Sequence, residues 1–211
     1  MNNHRQLISA VRMYANEFKD VLPFVNSNGV ETGSAYPKGW GGQPGWLYQY
    51  PNLTKQEDVQ TGLLWKYLKS MDVYHCPFDP GPYTYNVQKL SSYLMNREIL
   101  MDTKYGPYPS WKLSKFRAND VLFWEVSDTD PATGKGPAPS GYWNDGANYY
   151  YEGITMRHGG GSHRDPRTTG SIIGCFGGTA ELIIVNDFNK EANIVGGRVQ
   201  CGPPARKFQR Y

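Results

Sequence analysis

A chain of 211 residues is long enough for one domain with a real core. Its formal charge of +3 is spread over mixed signs, without the basic stripe that phosphate neutralisation needs, so nucleic-acid binding is set aside. Apolar residues make up only 39% and mean hydropathy is −0.62, yet aromatics reach 14% alongside 24 Gly and 15 Pro; this excludes disorder and points to a loop-rich fold on a modest core.

Residues 4 to 19 carry the clearest periodicity. Leu7, Val11, Tyr14 and Phe18 recur at helical steps, Ile8, Ala10 and Ala15 widen the stripe, and Arg5, Arg12, Asn16 and Lys19 face away. Asn2 or Asn3 is expected to cap the start, and Pro23 to end the helix. The chain opens on Met1-Asn2-Asn3-His4-Arg5 without the apolar core of a signal peptide, and no apolar run approaches the roughly 20 residues of a membrane span.

The stretch 29–56 is dense in Gly and Pro and reads as a long loop insertion. Its tryptophans, Trp40 and Trp46, are candidates for stacking on sugar rings, although large aromatics more often supply core area. From Asp58 to Ser70 a second short helix is expected, weakened by Gly62, with Leu63, Leu64, Tyr67 and Leu68 on one face. Cys76 follows His75 directly, but neighbours in an extended segment point to opposite faces, so the pair is read as structural rather than as nucleophile and base. Val121-Leu122-Phe123-Trp124-Glu125-Val126 reads as a buried strand.

Asp128-Thr129-Asp130 offers hard oxygen ligands, making Asp128 and Asp130 calcium candidates with help from Asn144, Asp145 or Asn148. The spacing departs from an EF-hand in its third ligand, its Gly and its distal Glu. His158 and His163 flank a Gly-rich turn; without an identifiable third ligand they too are read as structural. Two apolar runs separated by Gly177-Gly178 signal a hairpin, and the tail after Val185 reads as loop. Cys76, Cys175 and Cys201 are too few for a disulfide scaffold; one disulfide plus a free thiol and three buried thiols both remain open. No nucleophile motif, carboxylate pair or cofactor fingerprint marks an enzyme.

Three blocks carry a resemblance. Asn2-Asn3-x-Arg5-Gln6-Leu7-Ile8, with Tyr14 and a Leu22-Pro23 exit, resembles the stretch just after the membrane segment of prepilin-type proteins, in particular those related to the major pseudopilin of type II secretion. Cys76-Pro77-Phe78-Asp79 and Arg157-His158-Gly159-Gly160 are similar to two later blocks of that family, in the same order. The chain departs from it at Gly177, where the family usually has Asp, and in the insertion 162–169.

The resemblance implies an α+β, pilin-like single domain over 1–211: the C-terminal half of the pilin helix at 4–22 packs on an antiparallel sheet, with the sheet region and terminal hairpin at 120–185. It also implies an upstream leader, a cleavage and N-methylation site and an apolar helix preceding Met1. The expected function is that of a non-catalytic, inner-membrane-anchored, extracytoplasmic subunit that partners other pilin or pseudopilin subunits. Major pseudopilins hold calcium in a sheet-region loop, but no residue here matches those ligands one for one. The alternative is a binding module for glycans, or for a secreted protein, displayed on the same scaffold through the aromatic loops.

Overall fold

The computed structural model describes residues 1–26, 44–49, 52, 54–79, 90–100, 110–126, 146–160 and 165–203. The architecture is α+β. Helix α1 (Asn2–Glu17) is followed by strands β1 (Tyr93–Asn96), β2 (Val121–Glu125), β3 (Ala147–Asn148), β4 (His158–Gly159), β5 (Thr169–Cys175) and β6 (Ala180–Ile184). Two further helices are α2 (Trp65–Leu68) and α3 (Val185–Ala192). The strands form one sheet in the order β3-β1-β2-β5-β4, with β6 on the other edge of β5. Pairing is antiparallel except for the short β1–β3 contact, which is parallel and so departs from the all-antiparallel expectation.

α1 lies on one face of the sheet because its apolar stripe, Leu7, Ile8, Ala10, Val11 and Ala15, is buried there. The stripe is rotated from the expected one: His4 is buried, whereas Phe18 is 44% exposed and stacks on Tyr14. Contact with the sheet is close at Gly174 of β5, where a Cβ would come within 2.9 Å of Ile8 and 3.1 Å of His4. The helix ends before Pro23 is reached. Phe18 caps it, and Lys19 and Asp20 then take left-handed conformations (φ 55° and 72°), with the Asp20 carboxylate accepting from the Ser114 hydroxyl. Nor do the asparagines cap its start: Asn2 and Asn3 already lie inside the helix, and no side chain caps Met1.

The expected helix over 58–70 is split. A 3-10 turn, Gln56–Thr61, and the single α-turn of α2 are separated at Gly62, where a Cβ would sit 2.4 Å from the Leu47 backbone. Leu63 and Leu64 donate their backbone N–H groups to the carbonyls of Gly45 and Trp46, so this segment is tied to the one before it. The glycine that weakened the helix in the sequence therefore serves a close backbone approach.

The opposite sheet face carries a second cluster, Val121, Trp124, Ile173, Cys175 and Ile183, covered by Phe188 and Ala192 of α3. Here the expected loop after Val185 is corrected. Phe188 and Ala192 are one helical turn apart, and the Trp124 and Phe188 rings meet edge to face at 5.6 Å, which stabilises an otherwise polar helix. The hairpin between β5 and β6 forms as read, with one difference: only Gly178 of the glycine pair takes positive φ (100°), and its N–H donates to Cys175 O.

All three cysteines are free and buried, which closes the disulfide alternative. Burial raises the thiol pKa of both Cys175 and Cys201. Among the described residues, no helix is long and apolar enough to cross a membrane.

Candidate functional site

Three elements bring side chains together at one place. A 3-10 turn, Met71–Tyr74, delivers the extended segment that carries Cys76. β2 ends on Glu125, and β4 begins with His158. β4 lies beside the first half of β5, on the edge whose second half is taken by β2, so His158 comes up against the end of β2. The Thr155 N–H donates to Glu125 O at 3.0 Å and fixes that approach.

Two of the side chains, Cys76 and Glu125, converge on a single imidazole nitrogen of the third. His158 Nε2 lies 3.4 Å from Cys76 Sγ and 2.9 and 2.8 Å from the two carboxylate oxygens of Glu125. The ligand atoms of all three residues lie within 4.8 Å of one another. Cys76 and Glu125 are buried, and Phe78, 69% exposed, sets its ring edge to face against His158 at 5.4 Å.

A ring of polar contacts braces the cluster. The Cys76 N–H donates to Ser92 Oγ at 3.0 Å, and the Ser92 hydroxyl donates to Asp79 Oδ2 at 2.6 Å. Arg157, its side chain 7% exposed, bridges Asp79 Oδ2 at 3.5 Å and Glu125 Oε2 at 3.8 Å. Burial alone would depress the His158 pKa, but the hydrogen bonds and charges of Cys76 and Glu125 outweigh it and raise the pKa to about 9. A Cys–His–acid relay places the acid on the imidazole nitrogen remote from the nucleophile. Here sulfur and carboxylate share one nitrogen. That arrangement suits a shared ligand point rather than a nucleophile with its base.

α1 borders the same place through Asn3 and His4. The Asn3 amide donates to Asp72 O at 3.0 Å and to His75 O at 2.8 Å, holding the helix to the segment that leads into Cys76. Replacing Asn3 by Ala is expected to cost roughly 1–2 kcal/mol, the loss of two such bonds, measured as a lower midpoint in urea with unchanged slope. His4 is fully buried, with its ring 4.5 Å from the Tyr93 ring and neither nitrogen hydrogen-bonded to a side chain. Its pKa is held down to about 3, first by burial and then by the charges at Met1 and His158. Tyr93 faces both Cys76 and Asn3; burial first, then Cys76 and Glu125, raise its pKa.

The sequence-derived candidates fare differently. Trp46 is not open to a ligand: it is wholly buried, its Nε1 donates to Gly146 O at 2.7 Å, and its ring meets Phe123 edge to face at 5.2 Å. The end of the expected loop insertion is therefore core, with Leu47 and Tyr48 buried alongside it. Trp40, Asp128, Asp130, Asn144, Asp145 and His163 lie outside the described residues. Asn148 is wholly buried, and its amide donates to Gly153 O at 3.4 Å. His75 turns to Gln56 at 2.6 Å, away from its neighbour Cys76 as the extended geometry requires.

Among the described residues, the companions of His158 come from β2 and from the Cys76 segment. No family model matches the chain, and neither the curated proteins nor the solved structures contain a match.

Proposed function

We propose that the chain is the globular part of a pilin-like, pseudopilin-type assembly subunit that is not itself a catalyst. One observation carries this reading: the three sequence blocks that resemble the pseudopilin family meet in space. Asn3 of the first block bonds to His75 O, Cys76 of the second lies 3.4 Å from His158 of the third, and Asp79 of the second faces Arg157 of the third at 3.5 Å. Motifs that matched by chance would have no reason to build one locus.

The α+β layout supports the same reading, with a leading helix laid on a sheet by a continuous apolar stripe. In this proposal α1 continues upstream into an apolar membrane helix, and other subunits bundle along that continuation. The globular part is then held on the extracytoplasmic side.

The coding sequence upstream of Met1, read together with the mature N-terminus of the protein from its own cells, tests the proposal. The expected result is a short basic leader, an apolar segment of about 20 residues, and a processed, N-methylated terminus recovered with membranes or sheared surface filaments. A chain that begins unprocessed at Met1 and fractionates with the cytoplasm would overturn it.

A further inference from the structure

We propose that Cys76, Glu125 and His158 form a binding site for a divalent transition metal, zinc by preference. The inference stands on their geometry and is independent of the pseudopilin reading. Thiolate, imidazole and carboxylate are the three ligand types zinc accepts, at bond lengths of about 2.3, 2.0–2.1 and 2.0–2.2 Å respectively. Around a tetrahedral ion those lengths put sulfur and nitrogen about 3.5 Å apart. The Cys76 Sγ to His158 Nε2 separation is 3.4 Å.

The imidazole and carboxylate, now 2.8–2.9 Å apart in a hydrogen bond, need to open to about 3.3 Å. Rotation of the Glu125 side chain is the movement this requires, and it must also bring the carboxylate to about 3.5 Å from Cys76 Sγ, which now lies within 4.8 Å. Three protein ligands leave a fourth position for water or an exogenous group beside the exposed Phe78.

Charge balance admits a dication in place of two protons. With Cys76 as thiolate and His158 neutral, Cys76, Glu125 and Asp79 carry three negative charges against one positive charge on Arg157, and a bound dication cancels that difference. Metal uptake would displace the thiol proton and the proton held between His158 and Glu125, and release both to solvent. The donor set also sorts the ions: a thiolate disfavours calcium and magnesium, which take all-oxygen shells. The surrounding ring does the work of an outer shell. Ser92 positions the Cys76 backbone, and Arg157 orients the Glu125 carboxylate while pairing with Asp79.

Titration of the chelator-stripped protein with Co(II), followed by competition with Zn(II), is the test. We expect one equivalent to bind, with a thiolate-to-cobalt charge-transfer band and intense d–d bands that zinc abolishes. The band should persist in the Cys175→Ser/Cys201→Ser double variant and vanish in Cys76→Ser. Asp79→Asn, which leaves the ligands in place, should weaken affinity by about 10- to 100-fold.

In the unmutated protein, one equivalent of zinc should protect Cys76 from alkylation, as read by peptide mass spectrometry; this readout needs no variant to fold. The proposal is overturned by absence of the charge-transfer band in folded wild-type protein, by a band that follows Cys175 or Cys201, or by zinc leaving Cys76 alkylation unchanged.

Discussion

Replacing Trp46 by Ala should destabilise the protein by about 3–5 kcal/mol, in the range for emptying a buried large aromatic site. The side chain is wholly buried between the Phe123 and Tyr74 rings, 5.2 and 6.2 Å away. Its indole N–H also satisfies Gly146 O at 2.7 Å, and the variant leaves that carbonyl without its donor. Gly146 in turn donates its N–H to Asn26 O, while the Asn26 side chain accepts from the Leu47 N–H. The vacated space therefore lies where three segments distant in sequence are tied together.

The measurement is a urea transition followed by tryptophan fluorescence and by circular dichroism. A shift below about 1 kcal/mol would show that the site collapses around the loss. Any polysaccharide binding should be unaffected in variant molecules that remain folded; loss of binding there would restore a ligand role to Trp46.

Acidification should unfold the protein through His4. Its folded-state pKa, about 3, lies below the ordinary value of 6.5, so the unfolded chain binds the proton more readily. The neutral buried ring contributes its full stability above pH 6.5. That contribution, on the order of 5 kcal/mol, is lost progressively as the pH drops from 6.5 towards 3. Of the groups facing the ring, the Met1 amino group and His158 disfavour a further cation, Tyr93 is uncharged, and the Ile172 backbone alone opposes them by favouring protonation. His4→Phe keeps a planar ring against Tyr93 and removes the proton site. Chemical denaturation at several pH values between 3 and 7 should give a shallower slope for the variant; an unchanged slope would assign the acid sensitivity elsewhere.

His4 also shows where sequence reasoning succeeds and where it stops. The apolar stripe of α1 was legible because Leu7, Ile8, Val11 and Ala15 repeat at the helical period, and the strand at 121–125 and the glycine-turned hairpin were equally plain. A histidine at the same helical phase reads as polar in any hydropathy pattern, so its burial was invisible. α3 escaped for a related reason: in Val185–Ala192 two core contacts, Phe188 and Ala192, are set among polar residues.

The metal cluster was hidden by distance along the chain. Cys76 and His158 are 82 positions apart, and in the sequence each has a nearer potential partner, His75 or His163. Glu125 reads there as part of a buried strand. One signal did exist: Cys76 and His158 sit in two blocks that recur together in the resembling family, and each supplies one soft or borderline ligand.

The central position of β5 has a consequence for the order in which the protein is made. α1 is made before every strand, but β5, residues 169 to 175, packs closely on it and follows β1 to β4. Throughout most of synthesis Leu7, Ile8 and Val11 are therefore without their sheet, and the β2–β5 pairing cannot close. Such late, long-range closure makes for slow folding and a long interval in which apolar surface can stick to other chains. A nascent chain arrested before residue 169 should be protease-sensitive along its whole length, and one extended past α3 and clear of the ribosome should become resistant in a single step.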